Sequence, residues 1–230
     1  MATGAPDWQG LIWRIETSLR PNSINTSGRV IFFDDFERAA LNWTSTGSAG
    51  GSAVTTTTNA LIGAYSAYIV SNATIGDYWI IRKYVPFPKA GKYGLETQYS
   101  ASSTTNDKVR FDINLSGSTK ILDFGVEYNP TTDAWQYYDS AGNWTDIPSC
   151  TQALFFATSV VCSVKLIVDY NTGKYVQLVS NGEVFDISSL SGKTTSSAGN
   201  QLARIDIRAT SIKASAAAVM YIDNVVVTEE

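Results

Sequence analysis

The chain has 230 residues, 44% hydrophobic and 12% aromatic, and only 17% charged, against roughly 25% in an ordinary soluble protein. That composition supports one large core, of a size that all-β sandwiches reach as a single unit, under a surface of Ser, Thr, Asn and Gly. A net charge of −4 withholds the attraction that nucleic-acid binding needs, and the lack of histidine excludes Ser-His-Asp and Cys-His nucleophiles and every His-containing zinc site.

Taken in chain order, residues 1–28 stand apart. Trp8, Leu11, Ile12, Ile15 and Leu19 recur at helical spacing, Asp7 is placed to cap the first turn, and Pro21 stops the run. This predicts a short amphipathic helix, marginal alone in water, whose apolar stripe must dock on its own sandwich, on a neighbouring subunit or on a larger particle. The polar stretch 21–28 reads as a linker, so the expected organisation is an arm and linker over 1–28 and a β-sandwich over 29–230. No basic stretch followed by an apolar run opens the chain, so no secretory signal is expected, and nothing approaches the ~18 apolar residues of a membrane span.

From residue 30 the chain alternates short strands and turns. Strands are expected at 30–37, 65–70, 78–85, 93–100, 109–115, 121–128, 134–138, 164–170, 175–180, 203–212 and 219–228, each carrying β-branched or aromatic residues. Asp169-Tyr-Asn-Thr-Gly-Lys174 and Ser180-Asn-Gly-Glu183 are hairpin turns, the second suited to a type I′ connection. In Arg204-Ile-Asp-Ile-Arg208 the isoleucines face one side and the charged residues the other, the mark of a half-buried antiparallel strand. The Ser/Thr/Gly-rich stretches 44–59 and 188–200 read as long loops or weak edge strands. Strands at the two ends, Val30-Ile-Phe-Phe-Asp-Asp-Phe-Glu37 and Tyr221-Ile-Asp-Asn-Val-Val-Val-Thr228, are expected to pair and close the sandwich.

The run from Val164 through Asp169-Tyr-Asn-Thr-Gly-Lys-Tyr175 to Asn181-Gly182 resembles the paired strands of concanavalin A-like and laminin-G-like jelly rolls. Phe33-Asp-Asp-Phe-Glu37, Gly63-Ala-Tyr-Ser-Ala-Tyr-Ile69 and Tyr221-Ile-Asp-Asn-Val225 are likewise similar to the frame of jelly-roll carbohydrate-binding modules. The resemblance covers most of 30–228 and implies an all-β, antiparallel jelly-roll sandwich. Its signatures are structural ones, shared by lectins, glycosidase modules and phage particle proteins.

Concanavalin-like glycosidases use closely spaced carboxylates on one strand face. Here only Asp123 and Glu127 approach that pattern, Gly125 stands where a third carboxylate would, and Glu96 is alone, so no enzyme is expected. Asp34, Asp35, Glu37 and Asp223 are candidate calcium ligands if the terminal strands pair, as in the structural calcium sites of the modules the chain resembles; solvated acids at strand ends are the plainer reading, and no other cofactor is expected. Cys150 and Cys162 would close a disulfide loop in an oxidising compartment or stand as two buried thiols in a reducing one.

Aromatic residues give the strongest binding signal. In the segment 133–145 Trp135, Tyr137, Tyr138 and Trp144 cluster near one turn, and Trp135, Tyr138 and Trp144 are the candidate ligand-binding residues. Alternation puts Trp135 and Tyr137 on one face and Tyr138 on the other; the expectation is that the first pair is core and that Tyr138 and Trp144 face out. The sequence on its own favours a non-catalytic structural or decoration protein of a larger assembly, such as a phage or virus particle. It would dock through its arm as a homo-oligomer, at a virion surface or outside the cell. The alternative is a carbohydrate-binding module or lectin-like adhesin, with a glycan as partner.

Overall fold

The computed structural model describes residues 28–88, 91–103, 107–196, 199 and 201–230. The strands in chain order are β1 (Arg29–Asp34), β2 (Thr44–Gly47), β3 (Ser52–Thr56), β4 (Ser66–Val70), β5 (Tyr78–Val85), β6 (Lys92–Ala101), β7 (Asp107–Ser116) and β8 (Lys120–Asn129). They continue with β9 (Ala134–Tyr138), β10 (Trp144–Thr151), β11 (Cys162–Asp169), β12 (Lys174–Ser180), β13 (Glu183–Asp186), β14 (Lys193–Ser196), β15 (Leu202–Ser211) and β16 (Val219–Glu229). All ladders between these strands are antiparallel.

Two eight-stranded sheets form the sandwich. The first runs β13-β12-β11-β6-β16-β4-β3 with β1 also on β16; the second runs β10-β9-β8-β7-β15-β5-β2 with β14 also on β8. The terminal strands pair as expected, Arg29 opposite Glu229 through Asp34 opposite Val225. Both hairpin turns form, and Asn181 and Gly182 take φ values of 48° and 84°, the double positive φ of a type I′ turn.

The core follows from period-two patterning. In β7, Val109, Phe111, Ile113 and Leu115 point inward and are fully buried, while the residues between them are partly exposed. Ile205 and Ile207 of β15 and Phe124 and Tyr128 of β8 extend that layer. The facing sheet supplies Leu95, Tyr99, Leu166, Tyr175 and Ile222, and ring pairs Tyr99–Phe111 and Phe124–Tyr175, at 5.2 and 5.1 Å, bridge the two sheets.

The Ser/Thr/Gly-rich stretches 44–59 and 188–200 contain β2, β3 and β14, and β10 is the second arm of the aromatic hairpin. The arm residues Trp8, Leu11, Ile12, Ile15 and Leu19 lie outside the described residues. No helix among the described residues is long and apolar enough to cross a membrane.

Candidate functional site

The outward positions of β7, β8 and β15 form rows that topology alone brings together. Gly125, Asp112, Asp206 and Arg82 are successive cross-strand partners; one row over stand Glu127, Arg110 and Arg208, and on the other side Lys193, Asp123, Asn114, Arg204 and Tyr84. Trp144 of β10 is the partner of Tyr138 of β9 on the same face. Within these rows lies a cleft of about 180 Å³ lined by Arg110, Asp112, Asn114, Asp123, Tyr138, Arg204 and Asp206, among others.

The aromatic rim has an identifiable cause. The β8–β9 ladder ends at Val126–Tyr137, after which the edge of β8 is taken up by β14 from Asp123 onward. The gap between β9 and β14 is filled from below by Tyr175 of the opposite sheet. Its hydroxyl accepts from the Gly125 N–H at 2.9 Å and shares its own proton between the carbonyls of Gly125 and Tyr138, at 3.0 and 2.9 Å. Above it Gly125 carries no side chain, so the Trp144 ring lies over the strand: a Cβ at 125 would sit 2.9 Å from Trp144 Cη2 and inside contact with Asp112 Oδ1. The Tyr138 and Trp144 rings are 5.3 Å apart at 41°, and the Arg110 guanidinium stacks 4.4 Å from the Trp144 ring centre.

Most acids of this face are engaged. Asp206 receives Nε and Nη2 of Arg82 at 2.7 and 2.8 Å, both oxygens of Asp112 receive Nε of Arg110 at 2.7–2.8 Å, and Glu127 pairs with Lys108 at 2.8 Å. Asp123 accepts from the Asn114 side-chain amide. Burial pushes the Asp112 carboxyl up to about 6 against the opposing pull of Arg110. Arg204 Nε is buried beside the cleft and, although 3.3 Å from Asp206 Oδ2, makes no hydrogen bond.

Tyr138 and Trp144 thus share one face as expected, half-buried because they stack on each other and on Arg110. Trp135 is a correction as a ligand-binding candidate. It points inward, is fully buried, and packs its ring on Phe111 and Tyr128 at 6.3 and 5.7 Å. Asp123 and Glu127 lie on the outer face of the second sheet, whereas Glu96 sits on β6 of the first, so these three acids do not meet. Arg110 and Asp112 are not among the sequence candidates; the alternation Lys108-Val-Arg-Phe-Asp-Ile-Asn-Leu115 is the signal that carries them.

The four candidate calcium ligands hold backbone. Asp34 accepts from Phe36 N and Trp43 Nε1, Asp35 from Glu37 N, Glu37 from the amides of Ala64 and Tyr65, and Asp223 from those of Ile62 and Asn224. Burial, reinforced by the charges of Glu37 and Asp35, pushes the Asp223 carboxyl up to about 7 despite those amides. Glu37 and Asp223 clamp the loop before β4 to the segment after β1 and to β16, while Asp34 and Asp35 hold the chain that follows β1. Among the described residues no group of three or more Cys, Asp or Glu side chains is placed to hold a metal ion. Cys150 and Cys162 are buried free thiols on different sheets, and burial pushes the Cys150 thiol up to about 12.

No family model and no curated protein matches the chain. Among solved structures it is similar to a protein of unknown function with a galectin-like fold from Bacillus subtilis, at 11% identity and TM-score 0.55, covering 88% of this chain and 96% of that one. It is also similar to an endo-beta-1,4-glucuronan lyase from the fungus Trichoderma reesei, at 10% identity and TM-score 0.55, covering 87% and 96%. A sialidase matches over 88% of this chain at 11% identity and TM-score 0.57, but the chain spans only 19% of it. What is shared is the fold, the concanavalin A-like jelly roll that the sequence resemblance implies.

Proposed function

We propose that the chain is a non-catalytic carbohydrate-binding module or lectin-like adhesin that holds a saccharide on the outer face of its second sheet. The observation that carries this reading is the Tyr138–Trp144 ring pair seated over Gly125 at the rim of a polar cleft. Half-buried rings present an apolar face to the C–H side of a sugar, while Asn114, Asp123, Arg204 and Asp206 line the cleft where hydroxyls would be read.

The carboxylates of the face serve the same reading. Asp112, Asp206 and Glu127 are each held by a cation, an arrangement that fixes hydrogen-bond acceptors in place and engages the groups a glycosidase would need as acid and base. Docking of residues 1–28 on a larger assembly rests on the sequence pattern alone. It is separable from saccharide binding, since every residue of the face lies between Tyr78 and Arg208.

A glycan array followed by titration of intrinsic Trp fluorescence tests the reading. Trp144→Ala and Tyr138→Ala should each remove about 1–3 kcal/mol of affinity, by analogy with stacking on other planar ligands, while leaving the fold intact. An array without binders and an unchanged spectrum would remove saccharide binding from this face, and measurable hydrolysis of a bound polysaccharide would overturn the non-catalytic assignment.

A further inference from the structure

Arg110 and Arg208 are direct cross-strand partners on β7 and β15. Like charges directly opposite each other destabilise a sheet. Both are nonetheless held in fixed poses by aromatic rings: Arg208 Cζ lies 3.7 Å from the Tyr78 ring centre and Arg110 Cζ 4.4 Å from that of Trp144. Each of the two cross-strand arginines is thus seated on a ring of its own beside the cleft.

The pairing within this block leaves positive charge over. Arg82 and Arg204 are ion-paired to Asp206, Arg110 to Asp112 and Lys108 to Glu127, so five cations of the block face three carboxylates and Arg208 is the cation left without an ion pair among the described residues. Nε of Arg110 is given to Asp112 and Nε of Arg208 to Thr210 Oγ1 at 2.9 Å. Among the described residues no acceptor meets the Nη groups of either arginine, and no carboxylate stands within ion-pair distance of Arg208. Burial and the charge of Arg110 push the Arg208 guanidinium below its ordinary value, outweighing the opposing pull of Glu127 and Asp112. The chain as a whole is acidic, at −4, so this concentration of arginine is local and not a basic surface in general.

We infer that the saccharide taken by this face is anionic, its oxyanion, a uronate carboxylate or a sulfate ester, held by the free Nη edges of Arg110 and Arg208 while an adjoining sugar ring stacks on Tyr138 and Trp144. The inference rests on the proposed saccharide-binding role and narrows it. Two oxygens of a carboxylate or of a sulfate ester can accept from the guanidinium fork, and bridging the two arginines would relieve their mutual repulsion.

Calorimetric titration of the full chain with three probes tests it: a uronate oligosaccharide, the same oligosaccharide with its carboxyls reduced to alcohols, and a sulfated neutral oligosaccharide. An acidic probe should bind about tenfold or more tighter than the reduced one, the gain expected from charge-assisted hydrogen bonds. Arg208→Gln should abolish that preference while its thermal midpoint holds or rises, because a like-charged pair has been removed. The uronate and sulfate arms identify which oxyanion is read. Equal affinity for the acidic and reduced probes would overturn the inference and leave saccharide binding standing, whereas no binding of any probe would remove both. A preference for the acidic probe that survives in Arg208→Gln would also overturn it.

Discussion

Gly125→Ala isolates the geometry on which the site depends. A glycine inside a strand is ordinarily less stable than alanine by about 0.5–1 kcal/mol, so with open space above position 125 the substitution would stabilise the protein. The space is not open. The new methyl would meet Asp112 Oδ1 inside van der Waals contact and Trp144 Cη2 at 2.9 Å. Asp112 has little room to yield, since both of its oxygens are tied to Arg110 at 2.7–2.8 Å, and Trp144 yields only by leaving Arg110 and Tyr138. Overpacking of this kind costs about 1–3 kcal/mol, which reverses the sign and leaves a net loss on the order of 1–2 kcal/mol. In a domain of this size that is a fall of about 2–8 °C in midpoint, read by calorimetry. Because the displaced ring is half of the stacking pair, saccharide affinity should drop as in Trp144→Ala. A variant that melts higher than the parent and binds its saccharide unchanged would refute the account of the site.

Two further perturbations probe a group beneath the site and a buried acid of the opposite sheet. Tyr175→Phe leaves the Gly125 N–H without a partner inside the sandwich and should lower stability to denaturant by about 1–3 kcal/mol, weakening saccharide binding through the loosened Tyr138 backbone; an effect below about 0.5 kcal/mol would show that the hydroxyl does not hold β8 and β9 together. Burial, opposed by Lys165 and assisted by Glu230, raises the Glu96 carboxyl from its ordinary 4.5 to about 7, so the native state holds this proton more tightly than the unfolded chain does. The associated stability is complete below the unfolded value and lost as pH rises through 7, roughly 3 kcal/mol in all. Glu96→Gln should therefore gain on the parent between about pH 4 and 8, and a stability difference that stays constant over that range would contradict it.

The architecture was readable because its signals are local. The Asn181–Gly182 turn needs two positive φ values that few other pairs tolerate, and the inward Val109, Phe111, Ile113 and Leu115 mark β7 in sequence as they do in space. β10 was harder, since Pro148 and a Ser149 at φ 62° interrupt any alternation. The site was legible only in fragments. Alternation says that Trp135 and Tyr138 point to opposite faces, but which face is core is decided by the sheet they join, and Trp144 joins the outer face through its partner Tyr138. Arg110 and Arg208 are far apart in sequence and meet only because β15 inserts between β7 and β5. Glu96 shows the reverse, a carboxylate that no strand-spacing rule could assign to the other sheet.

Several local disadvantages coincide on this one patch. Gly125 weakens the strand it occupies, the β8–β9 ladder stops beside it, Arg110 and Arg208 oppose like charges across β7 and β15, and the Asp112 carboxyl is buried far enough to rise to about 6. Each is worth on the order of 0.5–1 kcal/mol or more against folding, and none improves the packing beneath, where Phe111, Phe124 and Ile207 are already fully enclosed. Sequences that agree with their fold at every level depart from it chiefly where something other than stability is being selected. The departures here share a neighbourhood with a stacked ring pair and unsaturated guanidiniums, and a bound anionic sugar would satisfy them together: its ring covers the aromatic pair over Gly125, and its oxyanion separates the two arginines.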